Sequence, residues 1–363
     1  MHINIKTQEL REMLETVSRV STKHPTLPIL QCVYVEGKEN GDIVYKATNL
    51  EIGVEGTLHG KVEEAGIMAV PAHILLQTIS LINHPEVSLI AKEGMVIITT
   101  KTSKTSIATL PAEDFPNLPV IEGEAHSISG KNFAYGIKTV AFAASLNSIK
   151  PELGCVYIYQ KKENTLTFVA TDSFRLAEKT VPMAGVILST HILIPAKNAL
   201  ELARIAEGMS NDPKLTLSEN QCVLTWEEIQ ITSRSVVGSF PDYNQIMPKE
   251  FSSHATILVQ DVVNALRRTN VFLNKFSQLS LSLTQGSLHL FSKGDTGMTE
   301  DTILVAQEGV DIAISVNQKY LQDILTYITD DSLTIHFTGI GRPMVLEGVY
   351  DKSLRYLVMP MNR

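Results

Sequence analysis

"CVYVEGKENGDIVYKA" at residues 32–47 is echoed by "CVYIYQKKENTLTFVA" at 155–170. Both stretches open on Cys-Val-Tyr-aliphatic, carry Lys-Glu-Asn in the middle, end on Ala and are followed by Thr. Apolar residues at alternate positions on either side of the polar centre read as two strands about a turn. The step from Cys32 to Cys155 is 123 residues, as is the step from Ala47 to Ala170, and a third of the 363-residue chain is 121. A three-fold internal repeat is expected, with a third copy beginning near residue 250.

Other landmarks keep this period. "MAVPAHILLQTI" (68–79), "ILIPAKNALELA" (192–203) and "IAISVNQKYLQDIL" (312–325) each read as a short strand followed by an amphipathic helix, and Pro71 and Pro195 suit the helix start. A second helix heads each copy: "TQELREMLETVSRV", "KNFAYGIKTVAFAA" and "VQDVVNALRRTNVF", with Leu10, Met13, Leu14, Val17 and Val20 on one helical face. "LSLSLTQGSLHLFSK" (279–293) is the third hairpin, turning at Thr284-Gln285-Gly286, and further turns are expected near Gly94, Asn220 and Gly339. The proline-rich joints "PAEDFPNLPVIEG" (111–123) and "GSFPDYNQIMPKE" (238–250) correspond to one another. Three α+β domains are expected, at 1–122, 123–250 and 251–363, each with two helices and roughly eight strands. Each end of such a row of repeats offers an unpaired strand edge, which a head-to-tail contact between chains would cover.

The bulk composition is that of a globular protein: 44% hydrophobic and 19% charged residues, few aromatics and one Trp. The N-terminal "MHINIKTQEL" has no apolar signal core, and the most apolar segment, "VILSTHILIP", is too short and too polar to span a membrane, which predicts a soluble, cytoplasmic protein. Cys32, Cys155 and Cys222 make no CxxC pair and read as small buried hydrophobes. The net charge of −8 argues against a partner gripped over the whole surface through phosphates, while leaving room for a locally basic face.

With the repeats in place, "HPTLPIL" (24–30), "ATDSFRLA" (170–177), "FPDYNQIMP" (240–248) and "YLVMPMNR" (356–363) resemble, in register and over the whole chain, the bacterial DNA polymerase III beta-subunit (beta sliding clamp) family. The resemblance implies an α+β fold of three tandem DNA-clamp domains, with two helices inside and antiparallel sheets outside in each. It implies a head-to-tail homodimer forming a six-domain ring around double-stranded DNA, held without sequence preference. It also implies a non-catalytic processivity role. The expected partners are the replicative polymerase alpha subunit, the clamp loader and other proteins with a clamp-binding motif, with no cofactor, metal or membrane. A clamp that slides should not hold phosphates hard, because counterion release would turn each close Lys or Arg contact into affinity.

On that resemblance the DNA-facing candidates are Arg11, Arg19, Lys23, His24, Lys138, Lys150, Lys197, Arg204, Arg267 and Arg268, with Glu9, Glu12 and Glu15 interleaved on the first helix. His24 stands where the family usually carries Arg. The partner-peptide cleft maps to Leu153, Thr171, Phe174, Arg175, Leu176, Pro241, Gln245, Ile246, Val345, Leu357, Met359, Pro360 and Met361. Its aliphatic and Met side chains would make an adaptable apolar groove, with Arg175 at the rim for a carbonyl or acid. Phe174 replaces a usual His and Gln245 a usual basic residue, and "FSKGDTG" in the third copy predicts a single cleft per chain. Interface candidates are Phe272, Leu273 and Phe276, with two exposed aromatics flanking Leu273, and Glu300 and Asp301 facing Lys101 and Lys104 of a second chain.

No catalytic residues are assigned. GxxxxGK[ST], GxGxxG and HExxH are all missing, "TGIGRPMVLEG" fits a hairpin turn, and the ten His show no metal spacing. Asp172 in "ATDSF" has no base at a fixed spacing. Two other classes stay open from the residues alone: a scaffold that uses the cleft without DNA, and an enzyme whose site is too dispersed to read.

Overall fold

A computed structural model describes residues 1–21, 26–119, 123–147, 149–188, 190–208, 211–218 and 220–361. The described residues hold six α-helices: α1 (Thr7–Val17), α2 (Ala72–Ser80), α3 (Gly130–Ala141), α4 (Ala196–Glu207), α5 (Val259–Thr269) and α6 (Gln318–Leu325). They fall two to each repeat, where the sequence places them. α1 buries Leu10, Met13, Leu14 and Val17, as read from the sequence, whereas Val20, expected on the same helical face, is buried three residues beyond the end of the helix. α6 starts at Asn317, whose side chain accepts the backbone N–H of Lys319 and so satisfies one of the helix's free donors.

Twenty-six strands make four antiparallel sheets among the described residues. The quoted hairpins form as expected: Cys32–Gly37 pairs with Asp42–Thr48, and Cys155–Tyr159 with Thr165–Thr171. Gln278–Thr284 and Ser287–Gly294 make the third hairpin. Its turn residues Gln285 (φ 49°) and Gly286 (φ 78°) both take the left-handed conformation that matches strand twist in a two-residue loop. Cys32, Cys155 and Cys222 are buried, and burial pushes their thiols up to about 11, 12 and 12.

The chain divides into two compact units, 1–134 with 197–237, and 135–196 with 238–363. The domain ends expected at 122 and 250 do not coincide with this division. The reason is hydrogen bonding across the repeat joints. In the first unit an eight-stranded sheet runs Ala125–Ser127, Lys214–Leu217, Gln221–Trp226, Ile229–Arg234, Ile52–His59, Asp42–Thr48, Cys32–Gly37, Gly66–Pro71. Its central pairing, Ile229–Arg234 with Ile52–His59, ties the second repeat to the first. A five-stranded sheet in the same unit ends on Lys104–Ala108.

The second unit repeats the plan. Its nine-stranded sheet runs Ile192–Pro195, Cys155–Tyr159, Thr165–Thr171, Arg175–Pro182, Leu354–Val358, Met344–Gly348, Ser332–Phe337, Ser253–Leu258, Ala306–Gly309. Here Arg175–Pro182 pairs with Leu354–Val358, tying the third repeat to the second. A four-stranded sheet ends on Gly297–Leu304.

Candidate peptide cleft and basic helix faces

The hairpin end at Thr171–Arg175 is built by its own side chains. Asp172 Oδ1 accepts the backbone N–H groups of Phe174 and Arg175, both at 2.9 Å. Thr171 Oγ1 donates to the Arg175 carbonyl at 2.6 Å and accepts the Ser173 N–H at 3.1 Å. These local bonds substitute for ladder bonds at the turn. They also hold Phe174 outward, 62% exposed. Asp172 is therefore a turn-former.

Strand register then assembles the cleft candidates. Thr171 lies opposite Leu176, Leu176 opposite Leu357, and Leu357 opposite Val345, so the four form one row across four strands on one sheet face. All four are buried, as is Leu153 in the short turn Pro151–Gly154. The joint segment packs on the same face: Phe240 stacks on Tyr157 at 4.7 Å, and the Tyr243 hydroxyl donates to Glu178, two positions along the strand from Leu176. Half-buried Tyr159 completes this network, its hydroxyl at 2.7 Å from the Tyr243 oxygen. Burial first, then the hydrogen bond and charge of Glu178, push the Tyr243 hydroxyl upward, so it stays a neutral donor.

The row is thus a floor, and the surface a partner meets is the rim. Phe174, Pro241, Gln245 and Ile246 are exposed, and Met359, Pro360 and Met361 are half-buried. The backbone N–H of Met359 donates to the Phe174 carbonyl and that of Met361 to the Ser315 carbonyl, which docks the C-terminal segment. Gln245 turns its amide to Asp242 at 2.9 Å.

Arg175 is engaged by groups of its own unit. Its guanidinium bonds Asp172 at 3.0 Å, the Phe142 carbonyl at 2.8 Å and Asp323, and lies 4.5 Å from the centre of the Tyr320 ring. With Nε, Nη1 and Nη2 each bonded inside the unit, it braces the rim against α6. Sequence reasoning missed Tyr320, Asp323 and Phe142. The signal that could have found them is the helical spacing of Tyr320 and Asp323, which puts both on one face of α6.

The basic candidates are not equal. Arg19, Lys197 and Arg267 are exposed. Arg204 is held by Glu201 at 2.8 Å, and Arg11 by the Ile82 carbonyl at 3.1 Å. Arg268 pairs with Asp301 of its own chain, so that acid does not wait for a lysine elsewhere. Lys138 is half-buried and Lys150 exposed, while Lys23 and His24 lie outside the described residues. α1 and α4 border a groove of about 740 Å³ in which Lys6, Arg19 and Arg204 face Glu9, Glu12, Glu15, Glu227 and Glu228. Acids at the side of each base dilute the positive potential.

Of the interface candidates, Phe276 is 60% exposed, and Leu273 is half-buried. Phe272 is not an exposed aromatic: it is half-buried, with its ring packed over Gly297. Val271, 68% exposed, was overlooked. Glu300, Lys101 and Lys104 are exposed.

Comparison with known proteins matches residues 1–119, 127–242 and 244–362 to the N-terminal, central and C-terminal domains of the DNA polymerase III beta subunit, in that order. The chain belongs to the DNA polymerase III beta-subunit family. It contains three tandem domains of that family, with antiparallel sheets and six helices among the described residues. Relatives of this beta-subunit chain include the beta sliding clamp homolog GriR of Streptomyces muensis, 27% identical over 100% of this chain and 99% of that one. The beta sliding clamp of Synechococcus elongatus is 26% identical with the same coverage. A sliding clamp of Pseudomonas aeruginosa, solved bound to griselimycin, is 25% identical with a TM-score of 0.92 over all of both chains. The beta subunit of Thermotoga maritima shares the fold, with a TM-score of 0.94 at 22% identity over 100% of this chain and 99% of that one.

Proposed function

We propose that this chain is a non-catalytic DNA sliding clamp: it encircles duplex DNA as a closed ring and tethers a replicative polymerase through the Phe174–Ile246–Met359 rim. The observation that carries the reading is the match of all three beta-subunit domains, in order, across nearly the whole chain. Mixed charge on α1 and α4 supports weak, sequence-independent contact with phosphates, which sliding requires. The exposed apolar rim over a buried floor supports docking of a short, partly hydrophobic segment from the polymerase or a clamp loader. The proposed domains run 1–122, 123–250 and 251–363, and the proposed compartment is the cytoplasm.

Ring closure follows from strand edges. Ile52–His59 and Arg175–Pro182 each pair with a strand of the next repeat, Ile229–Arg234 and Leu354–Val358. Their counterparts Gly297–Leu304 and Lys104–Ala108 are terminal strands of their sheets among the described residues. Joining them between two copies supplies the missing ladder, in a head-to-tail dimer. Carrying over the register of the two internal joints sets Lys104 of one copy opposite Glu300 of the other.

The test is retention on nicked circular duplex DNA with a loader and ATP. The clamp should stay on the circle and be lost when the circle is cut. Retention that ignores linearisation would support a scaffold or a conventional binder instead.

A further inference from the structure

The hairpin end that frames the cleft has a twin in the first unit. Asn49 Oδ1 accepts the N–H groups of Glu51 and Ile52 at 3.0 and 2.9 Å, as Asp172 does for Phe174 and Arg175. Thr48 Oγ1 donates to the Ile52 carbonyl and accepts the Leu50 N–H at 2.9 and 3.0 Å, as Thr171 does one repeat later. Leu50 and Ser173 share a left-handed backbone, φ 76° and 78°. The Arg234 N–H donates to the Glu51 carbonyl at 2.8 Å, as that of Met359 does to Phe174. The two cradles have one backbone and different side chains.

At the twin, Gly53 stands for Leu176, Thr232 for Leu357 and Arg234 for Met359. Without a leucine at the floor, Leu118 of the joint segment lies directly on Gly53, where an added Cβ would meet Leu118 Cδ2 at 2.6 Å. Beside Leu118 a groove of about 450 Å³ remains, bordered by Leu50, Glu51, Pro116, Asn117, Gln221 and Arg234. That volume is within the roughly 300–1,000 Å³ of sites for small ligands. Leu50, held in its left-handed conformation by the Thr48 and Asn49 bonds, presents its side chain 44% exposed at the edge of the groove.

We propose that this groove is a second peptide-docking site, and that its occupant is an extended segment of another protein in which an acidic side chain adjoins aliphatic ones. Arg234 is 63% exposed and forms an ion pair with the likewise exposed Glu51 at 3.8 Å without a hydrogen bond, so an incoming carboxylate can take the guanidinium fork in two parallel bonds in competition with Glu51. Leu50, Pro116 and Leu118 supply the aliphatic contact, and the Asn117 and Gln221 amides can pair with a peptide backbone. The cleft of the second unit has Met359 rather than a cation in this place, so the two grooves select different segments.

The proposal rests on the first unit alone and does not need the cleft reading. The test uses the full chain carrying Phe174→Ala and Ile246→Asp, to silence the other rim. The probe is a fluorescein-labelled Gly-Leu-Glu-Leu-Leu-Gly peptide, with a Lys-for-Glu counterpart. Anisotropy should show saturable binding of the Glu peptide, weakened at least about 10-fold by Arg234→Glu, which is about 1.4 kcal/mol. Arg234→Glu should in turn prefer the Lys peptide. Because Arg234 is exposed, near-UV circular dichroism should be unchanged. No saturation up to about 5 mM, or binding indifferent to Arg234→Glu, would overturn the proposal.

Discussion

The Tyr243 hydroxyl donates a hydrogen bond to the Glu178 carboxylate, and both side chains are buried. This bond fastens the joint segment between the second and third repeats to the sheet it crosses, directly beside the Leu176–Leu357 floor of the candidate cleft. Removing the donor by Tyr243→Phe leaves a buried carboxylate with Lys161, 3.9 Å away, as its closest charge partner. Stability should fall by about 1–3 kcal/mol, read from denaturant unfolding. A loss under about 0.5 kcal/mol would mean that Glu178 finds another donor at no cost.

Rim and floor should respond differently to truncation. Phe174→Ala and Ile246→Asp alter side chains that are 62% and 54% exposed. They should leave the melting temperature nearly unchanged while weakening a polymerase-derived peptide at least about 10-fold by fluorescence titration. Leu176→Ala removes a fully buried side chain and should cost about 2–5 kcal/mol of stability. Equal affinity for the peptide in the rim variants would move the docking surface elsewhere.

Gly136 is an internal residue of α3, a place where Ala usually stabilises. Here the added Cβ would sit 2.5 Å from the Phe168 ring, itself buried. Overpacking outweighs propensity, and Gly136→Ala should destabilise by about 1–3 kcal/mol in thermal or denaturant unfolding. Stabilisation would show that Phe168 moves aside freely.

Burial pulls the Glu347 carboxyl up, but hydrogen bonds from His336 and Lys352, with the Lys352 charge, outweigh it and hold the carboxyl at about 2 instead of 4.5. A depressed value means stability that is present above about pH 4.5 and lost as pH falls toward 2. The loss from this group should be at most about 3 kcal/mol over that window. Glu347→Gln should flatten that part of the stability–pH curve. An unchanged slope between the two proteins would assign acid sensitivity to other carboxylates.

Lys104→Glu and Glu300→Lys each place like charges across the proposed joint between copies. Either alone should weaken the dimer, and the double variant should restore it, as sedimentation velocity would record. Three dimers of equal strength would show that these strands do not meet in that register.

Some of this was legible in one dimension. The repeat of Cys-Val-Tyr, the apolar stripe of α1 and the hairpin at Gln285-Gly286 depend on neighbours within a few residues, so the period and the turn chemistry reveal them directly. The cleft floor was legible as a set of residue types drawn from separated segments. Its division into floor and rim was not, because the burial of Leu176 and Val345 depends on strands and a joint segment arriving from elsewhere in the chain. Arg175 and Arg268 show the same limit: each is a free base in the sequence, and each meets an acid, Asp323 or Asp301, that lies far along the chain.

The sequence by itself determined three copies of one α+β pattern, because alternation and helical periodicity are written locally in each copy. Only the tertiary structure decided that strands hydrogen-bond across the repeat joints, gathering three copies into two compact units, and that one hairpin cradle was given an apolar rim while its twin was given Arg234. The physical reason is that register and charge pairing are non-local: they depend on which strand edge and which counter-ion fall within a few ångströms after folding, and no sequence period records that distance.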